Sequence, residues 1–312
     1  MCDFLSKSLQ KTRSIFKSKP PYPPAWPLQD EQHPKPQMNA QEQCPIFAKL
    51  SAELRVMVYE AVLIDSSRYL HICTNRRSKR ERRGRRAVRS NAHFWCIEQD
   101  SPFPTWQHAG CYGEWLEPTP HYSTVHTRPI TTTDDKILSL LITCRRVYSE
   151  TLRILYSGNT FHFRGGPGLV AFTSSVSPSL WMSIRHVHIS TQHLYSAPPW
   201  ILNEWPPENP DTWATCCQKL QELPNLQSLT FDMTLKWREK LRACQLNYGL
   251  EAALLPLLGI NAKSFIVEVD MSPSQEVRDA LGHVNFVLVV KERPRTHPLY
   301  HHSPILDIGD YN

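Results

Sequence analysis

The sequence predicts an α/β protein in which a helical unit precedes a short, mainly parallel sheet with flanking helices. Three observations carry this prediction. Two segments, residues 45–63 and 134–156, place apolar residues three and four apart, the spacing that lines one side of a helix. Beyond Gly165, runs that alternate apolar and polar residues are separated by helical stretches at intervals of roughly forty residues, the order of β-α-β units. In addition, "LQELPNLQSLTF" sets leucines at 220, 223, 226 and 229, as a leucine-rich repeat does where it turns into its strand, so the sheet is expected to be leucine-rich-repeat-like and solenoidal.

Residues 1–43 hold a short basic stretch, "FLSKSLQKTRSIFKSK", and then "PPYPPAWPLQDEQHPKPQ", whose prolines remove backbone donors. They are read as a disordered, proline-rich basic leader. The helical unit spans residues 44–164. In "PIFAKLSAELRVMVYEAVL", Phe47, Leu50, Leu54, Met57, Val58, Ala61 and Val62 form the apolar stripe, with Ser51 as N-cap. "RYLHIC" alternates as a short strand. Residues 74–133 form an insert without periodicity, basic and rich in His, Cys and Trp. Asp134 then caps a second helix, in which Ile137, Leu140, Leu141, Cys144, Val147, Tyr148, Thr151, Leu152, Leu155 and Tyr156 make one continuous stripe. Gly158 and Asn159 suit its left-handed close, and "TFHF" follows as a strand. The leucine-rich-like α/β region covers residues 165–296, with strands at Ile184 to Ser190, Leu226 to Met233, Ser264 to Asp270 and Asn285 to Arg293 and helices near Thr212 to Glu222 and Trp237 to Leu258. Residues 297–312 are a tail.

With 312 residues and 41% apolar content the chain can bury a sizeable core. Its net charge of +6 is misleading as a whole-molecule property. Arg76 to Arg89 holds nine Arg or Lys against one Glu, and Met1 to Lys19 holds five basic residues against Asp3, which leaves the remaining chain at about −6. The longest apolar runs, such as Phe286 to Val290, fall far short of the roughly 20 residues of a membrane span, and no secretory signal is expected. Nine scattered cysteines, an odd number, suit reduced thiols in an intracellular setting, cytoplasmic or nuclear.

"FAKLSAELRVMVYEAVL" and "LLITCRRVYSETLRILYSGNTFHF" together resemble two signatures of a fungal family of uncharacterised F-box-like proteins, the DUF7730 domain family. The matching positions are Leu50, Glu53, Leu54, Arg55 and Tyr59, then Thr143, Cys144, Arg145, Tyr148, Glu150, Leu155, Tyr156, Ser157, Asn159, Thr160 and Phe161. Ser51 stands where the family usually has proline. The resemblance implies an F-box-like helical unit. In F-box proteins such helices dock on a Skp1-type adaptor of a ubiquitin ligase, and a leucine-rich or similar domain holds the substrate. Here the two helices are separated by about seventy residues, a departure from the F-box pattern.

Candidate chemistry is sparse. The run from Arg76 to Arg89 has the charge to neutralise phosphates or to signal nuclear import, but no groove-reading element accompanies it. His93, Cys96, His108 and Cys111 form two His-x-x-Cys pairs with the donor types of a tetrahedral zinc site, which would pin the insert. Established zinc spacings are mostly Cys-x-x-Cys, so the favoured reading is a loop whose Trp95, Trp106 and Trp115 pack on the domain edge, with no metal. "GGPG" at Gly165 to Gly168 lacks the Lys-Ser/Thr pair and helix start of a phosphate loop. His186 and His188 share one side of a strand and are read as structural. Arg145, Tyr148 and Glu150 are read as a buried polar cluster.

No catalytic residue and no cofactor is expected. The leading reading is a non-enzymatic protein–protein interaction module acting as an F-box-like substrate adaptor for a Skp1-type partner, with Leu50, Glu53 and Leu54 as its contact residues. The alternative is a nuclear, nucleic-acid-associated protein that uses the arginine-rich insert, and a third is an enzyme whose site forms only on folding.

Overall fold

The computed structural model describes residues 41, 43–74, 91–112, 114–118, 123–127, 135–192, 210–234 and 243–292. The expected leader, the Arg76 to Arg89 run, Asp134 and the expected tail fall outside this set, apart from the last few residues of the leader.

The protein is α/β, built on a seven-stranded and mostly parallel sheet with flanking helices. In chain order the elements of the first half are helix α1 (Pro45–Lys49), α2 (Ala52–Leu63), strands β1 (Leu70–Thr74) and β2 (Asn91–Trp95), a 3-10 turn (Thr105–Gln107) and α3 (Ala109–Tyr112). Strands β3 (Glu114–Pro118) and β4 (Ser123–Thr127) form a separate antiparallel hairpin. Then come α4 (Asp135–Leu141), α5 (Arg145–Gly158), β5 (Thr160–Arg164), α6 (Gly166–Thr173), α7 (Pro178–Trp181), β6 (His186–Gln192), α8 (Pro210–Gln221), β7 (Ser228–Thr234), α9 (Ala243–Leu254), a second 3-10 turn (Leu255–Gly259), β8 (Ser264–Val269), α10 (Gln275–Leu281) and β9 (Val287–Val290). The main sheet runs β2-β1-β5-β6-β7-β8-β9, and only the β1–β2 pair is antiparallel. From β5 onward each strand is laid beside its predecessor through a helical crossover, the connection a parallel pair requires. One sheet therefore crosses the expected boundary at residue 165, and the insert supplies one of its edge strands.

Register divides the sheet into two unlike faces. Leu70, Phe161, Val187, Leu229 and Phe265 lie in one cross-strand row, and Ile72, Phe163, Ile189, Phe231 and Val267 in the next on the same side. All are buried in the core with Leu169, Trp213, Leu220, Leu250 and Leu257 from the helices. The intervening row is His71, His162, His188 and Thr230, on the opposite face. Arg164, Ser190, Asp232 and Glu268 form a second row there.

The second expected helix differs from expectation in two ways. The segment from 134 to 156 is not one helix: α4 ends at Leu141, and α5 restarts with the Cys144 Sγ accepting from the Val147 amide at 3.4 Å. Within α5, Val147, Thr151 and Leu155 are buried while Tyr148 is exposed, so the stripe is not continuous. Asn159 is not left-handed; its φ is −104°, and its buried side chain closes the turn instead. Its Nδ2 donates to the carbonyls of Leu63 (2.8 Å) and Leu155 (3.0 Å), while its Oδ1 accepts from the Asp65 amide (3.1 Å). One amide thus ties the end of α2 to the end of α5, and Gly158 lets Ile64 approach where a Cβ would stand.

Asn159→Ala leaves the Leu63 carbonyl and the Asp65 amide without their side-chain partner in a buried site. It is expected to lower the unfolding free energy by about 3 kcal/mol, against near zero for the exposed Asn261→Ala, in urea melts of the two variants.

Candidate functional site

The first helical site is built by α2 turning Arg55 and Tyr59 inward, while Glu53 and Glu60 stay exposed. Ser51 caps the helix by accepting from the Leu54 amide at 3.4 Å, as expected. Arg55, Tyr59 and Leu63, spaced four apart, are the buried residues of α2 and face α5. The Arg55 guanidinium grips Glu150 with two hydrogen bonds, Nε to Oε2 at 3.0 Å and Nη2 to Oε1 at 3.1 Å, and donates a third to the Leu50 carbonyl at 2.9 Å. Tyr59 donates its hydroxyl to the same carboxylate at 3.1 Å, and Arg146 adds another bond at 3.1 Å. The Phe47 ring lies beneath both guanidinium groups, 5.3 Å from Arg55 and 4.3 Å from Arg146. The partners of Glu150 are thus Arg55, Tyr59 and Arg146, whereas Arg145 and Tyr148 are exposed and take no part in the cluster.

The consequence for α2 is an outward apolar face. Leu54 (47% exposed), Met57 (63%), Val58 (42%) and Val62 (43%), expected in the core, lie in solvent. Of the expected contact residues, Glu53 and Leu54 are exposed, and Leu50 is half-buried with its carbonyl engaged by Arg55.

A second site lies on the polar face of the sheet. Residues 96–112 cross it as a strap: the Thr105 amide donates to Asp232 Oδ2 (3.2 Å), the Trp106 amide to Ser190 Oγ (3.0 Å), and the Trp106 indole to Thr234 Oγ1 (3.0 Å). Trp106 therefore packs over β6 and β7, not at an edge. Trp95 is buried on the helix-bearing side, and Trp115 sits in the β3 strand. The strap brings together His71, Cys96, His108 and Cys111, all buried, whose donor atoms lie within 4.8 Å of one another. Three of these four are the residues expected from sequence. The fourth is not His93: the antiparallel register sets His93 opposite Ile72, on the helix-bearing side, and His71 opposite Phe94, on the strap side. His188, read as structural, stacks on Tyr69 at 4.3 Å between ring centroids and stands 5.1 Å from His162, while His186 bonds Ser228 Oγ at 2.7 Å.

Hydrogen bonds surround the cluster. Cys96 Sγ is 3.5 Å from His108 Nδ1 and 3.7 Å from Cys111 Sγ. The Ile97 amide points at Cys111 Sγ (3.5 Å), and the Cys111 amide at Glu98 (3.4 Å). His71 Nδ1 meets His162 Nδ1 at 2.7 Å, with the Tyr112 hydroxyl 3.1 and 3.2 Å from these nitrogens. Burial holds both imidazoles well below their ordinary value and the Tyr112 phenol well above its own. The contact with Cys111 pulls the Cys96 thiol down, and the same contact, with burial, pushes Cys111 up.

"GGPG" behaves differently from expectation as well. Gly165, at φ +80°, caps α6, so a helix does start there, and its amide is spent on the Ser190 carbonyl at 3.0 Å. The Arg76 to Arg89 run lies outside the described residues. Among the described residues, no helix is long and apolar enough to cross a membrane.

The fold and sites define an α/β protein with a helix that exposes apolar residues on one flank of the sheet and a buried His/Cys cluster on the sheet's polar face. A family described as Domain of unknown function (DUF7730) matches residues 39–289, and the chain belongs to that family. No curated protein and no solved structure matches it.

The Glu150 carboxyl gives the helical site a pH signature. Burial pushes it up, but the hydrogen bonds from Arg55, Arg146 and Tyr59 outweigh burial and leave it below the ordinary range. A depressed folded value means its stabilisation is complete above the unfolded value, about 4.3, and is lost as pH falls through the folded one. The stability gap between the wild type and Glu150→Gln is therefore expected to be constant from about pH 7 to about pH 5 and to close below about pH 4, in urea melts across that range.

Proposed function

We propose that the chain is a non-enzymatic protein-interaction module of F-box-like type, in which the outward face of α2 docks on a Skp1-type adaptor. The observation that carries this reading is the inversion of α2. Arg55 and Tyr59 are drawn inward to Glu150, while Leu54, Met57, Val58 and Val62 are left in solvent. Leu54, Met57, Val58, Ala61 and Val62 recur at the three- and four-residue spacing of a single helical face, the presentation that an apolar groove on a partner recognises. Since these side chains are about half exposed, a partner that covers them gains about 1 kcal/mol from each, which supports a docking role for the patch. The resemblance of the two helices to F-box helices, read from the sequence, is what suggests an adaptor of this class. The parallel strands laid down in chain order support a leucine-rich-type platform for a substrate beside the docking helix.

Leu54→Asp combined with Met57→Asp is expected to weaken binding to a purified Skp1-type adaptor about a hundredfold or more. Because both side chains are exposed, the free chain should keep its unfolding free energy within about 0.5 kcal/mol. A wild-type chain that forms no complex with the adaptor in titration calorimetry removes this reading. A concentration-dependent dimer that the double variant abolishes assigns the face to a second copy instead.

A further inference from the structure

We propose that His71, Cys96, His108 and Cys111 hold a structural zinc ion that fastens residues 96–112 across the polar face of the sheet. This stands apart from the adaptor reading, since it concerns other residues on another face. Donor chemistry comes first. Two thiols and two imidazoles form a set that selects zinc among the common divalent ions, whereas calcium and magnesium ask for oxygen.

Geometry agrees with that chemistry. Zinc with Zn–S of about 2.3 Å and Zn–N of about 2.0–2.1 Å in a tetrahedron sets its two sulfurs about 3.8 Å apart and sulfur from nitrogen about 3.5 Å apart. The Cys96–Cys111 sulfurs are 3.7 Å apart, and Cys96 Sγ lies 3.5 Å from His108 Nδ1. His108 and Cys111 stand three residues apart on one helical turn, closed by a hydrogen bond from the Tyr112 amide to the His108 carbonyl at 3.1 Å. His71 adds the fourth donor. Its Nδ1 is committed to His162, and its Nε2 is buried without a hydrogen-bond partner, which makes Nε2 the ligating atom. With Nε2 on the metal, Nδ1 carries the proton and donates it to His162 Nδ1, the outer hydrogen bond that orients a ligating imidazole. The Ile97 amide, aimed at Cys111 Sγ, supports thiolate charge in the same way.

Four protein donors, all buried, close the coordination shell. That is the arrangement of structural zinc rather than of a catalytic site with an open position. The ion also meets a structural need. The apolar core under the strap is small, comprising Cys96, Cys111 and Tyr112 with Tyr69, Cys73 and Phe94 packed against it.

The test uses the full chain, expressed without added metal and gel-filtered in metal-free buffer. Elemental analysis should give one zinc per chain in the wild type and in His93→Ala, falling to background in His71→Asn and Cys111→Ser. Since ligand variants can fail to fold, the wild type is also stripped with a mercurial reagent and a chelator, reduced, and refilled with cobalt(II). Tetrahedral visible bands and a thiolate charge-transfer band should appear, and the melting midpoint lost on stripping should return. Absence of zinc and of these bands in the wild type overturns the proposal. So does a Cys96–Cys111 disulfide by mass spectrometry, metal retained in a folded Cys111→Ser chain, or metal lost from a folded His93→Ala chain.

Discussion

A parallel sheet is covered on both faces, and here the two faces ask for different covers. One is lined with leucine, isoleucine, valine and phenylalanine and takes helices. The other carries His71, His162, His188, Ser190 and Asp232, all buried. Helices with apolar stripes would leave these groups without partners, at a cost of about 1–3 kcal/mol each. A strap with free backbone amides meets that need at Ser190 and Asp232, because two of its donors turn toward the sheet. Asp232 Oδ2 accepts from the Thr105 amide and from Ser190, and Ser190 in turn accepts from the Trp106 amide. The irregular composition of residues 96–112 thus follows from what they lie on. The Thr105 and Trp106 amides go to the sheet, while those of Gln107, His108 and Tyr112 close short turns within the strap itself.

The opposite economy operates at the helical flank. The Arg55 guanidinium, paired with a carboxylate 95 residues away, can be satisfied only if α2 turns that side inward. Turning it inward rotates Leu54, Met57, Val58 and Val62 into water. Isolated helices would not choose this orientation. The bidentate pair, the Tyr59 hydrogen bond and the Asn159 amide together impose it, and the apolar face is the residue of that choice.

The sequence shows where such competition is legible and where it is not. Strands β5 to β8 are readable because their alternation is clean and one face is wholly apolar. The α2 orientation is hidden, since amphipathic reasoning places the apolar side inward and nothing local announces that Glu150 will claim Arg55. The interruption between α4 and α5 is hidden too: no glycine or proline marks it, and the signals are a Thr143 hydroxyl bonded back to the Leu140 carbonyl at 2.8 Å and a cysteine serving as cap. The cluster was half visible. Cys96, His108 and Cys111 stand close in the chain, but His71 lies 25 residues upstream of Cys96 and enters through strand register alone. A signal for it does exist. Leu70-His71-Ile72, Phe161-His162-Phe163 and Val187-His188-Ile189 repeat one pattern, a histidine between two apolar residues on three strands. Period two puts the apolar residues on one face and all three histidines on the other. His93 belongs to a strand as well, but its parity is the wrong one.

Both devices act on the same short strand. β1 is tied at its start to α2, whose end is held by Asn159, and carries His71 at its second position. Besides the Asn159 tie and the β1–β5 pairing, residues 43–74 and 91–112 are fastened to residues 145–192 and 210–234 by the Arg55–Glu150 pair, the His71–His162 bond and the strap over Ser190 and Asp232. Each fastening spans 80 or more residues of chain, so each depends on the sheet being formed and in turn limits how the first segment can move on it. The outward face of α2 is consequently held at a fixed place on the sheet rather than on a loose arm. In the docking role proposed for this face the placement matters energetically, because a partner covering it would not also have to order the helix, and the apolar area buried would convert more fully into affinity.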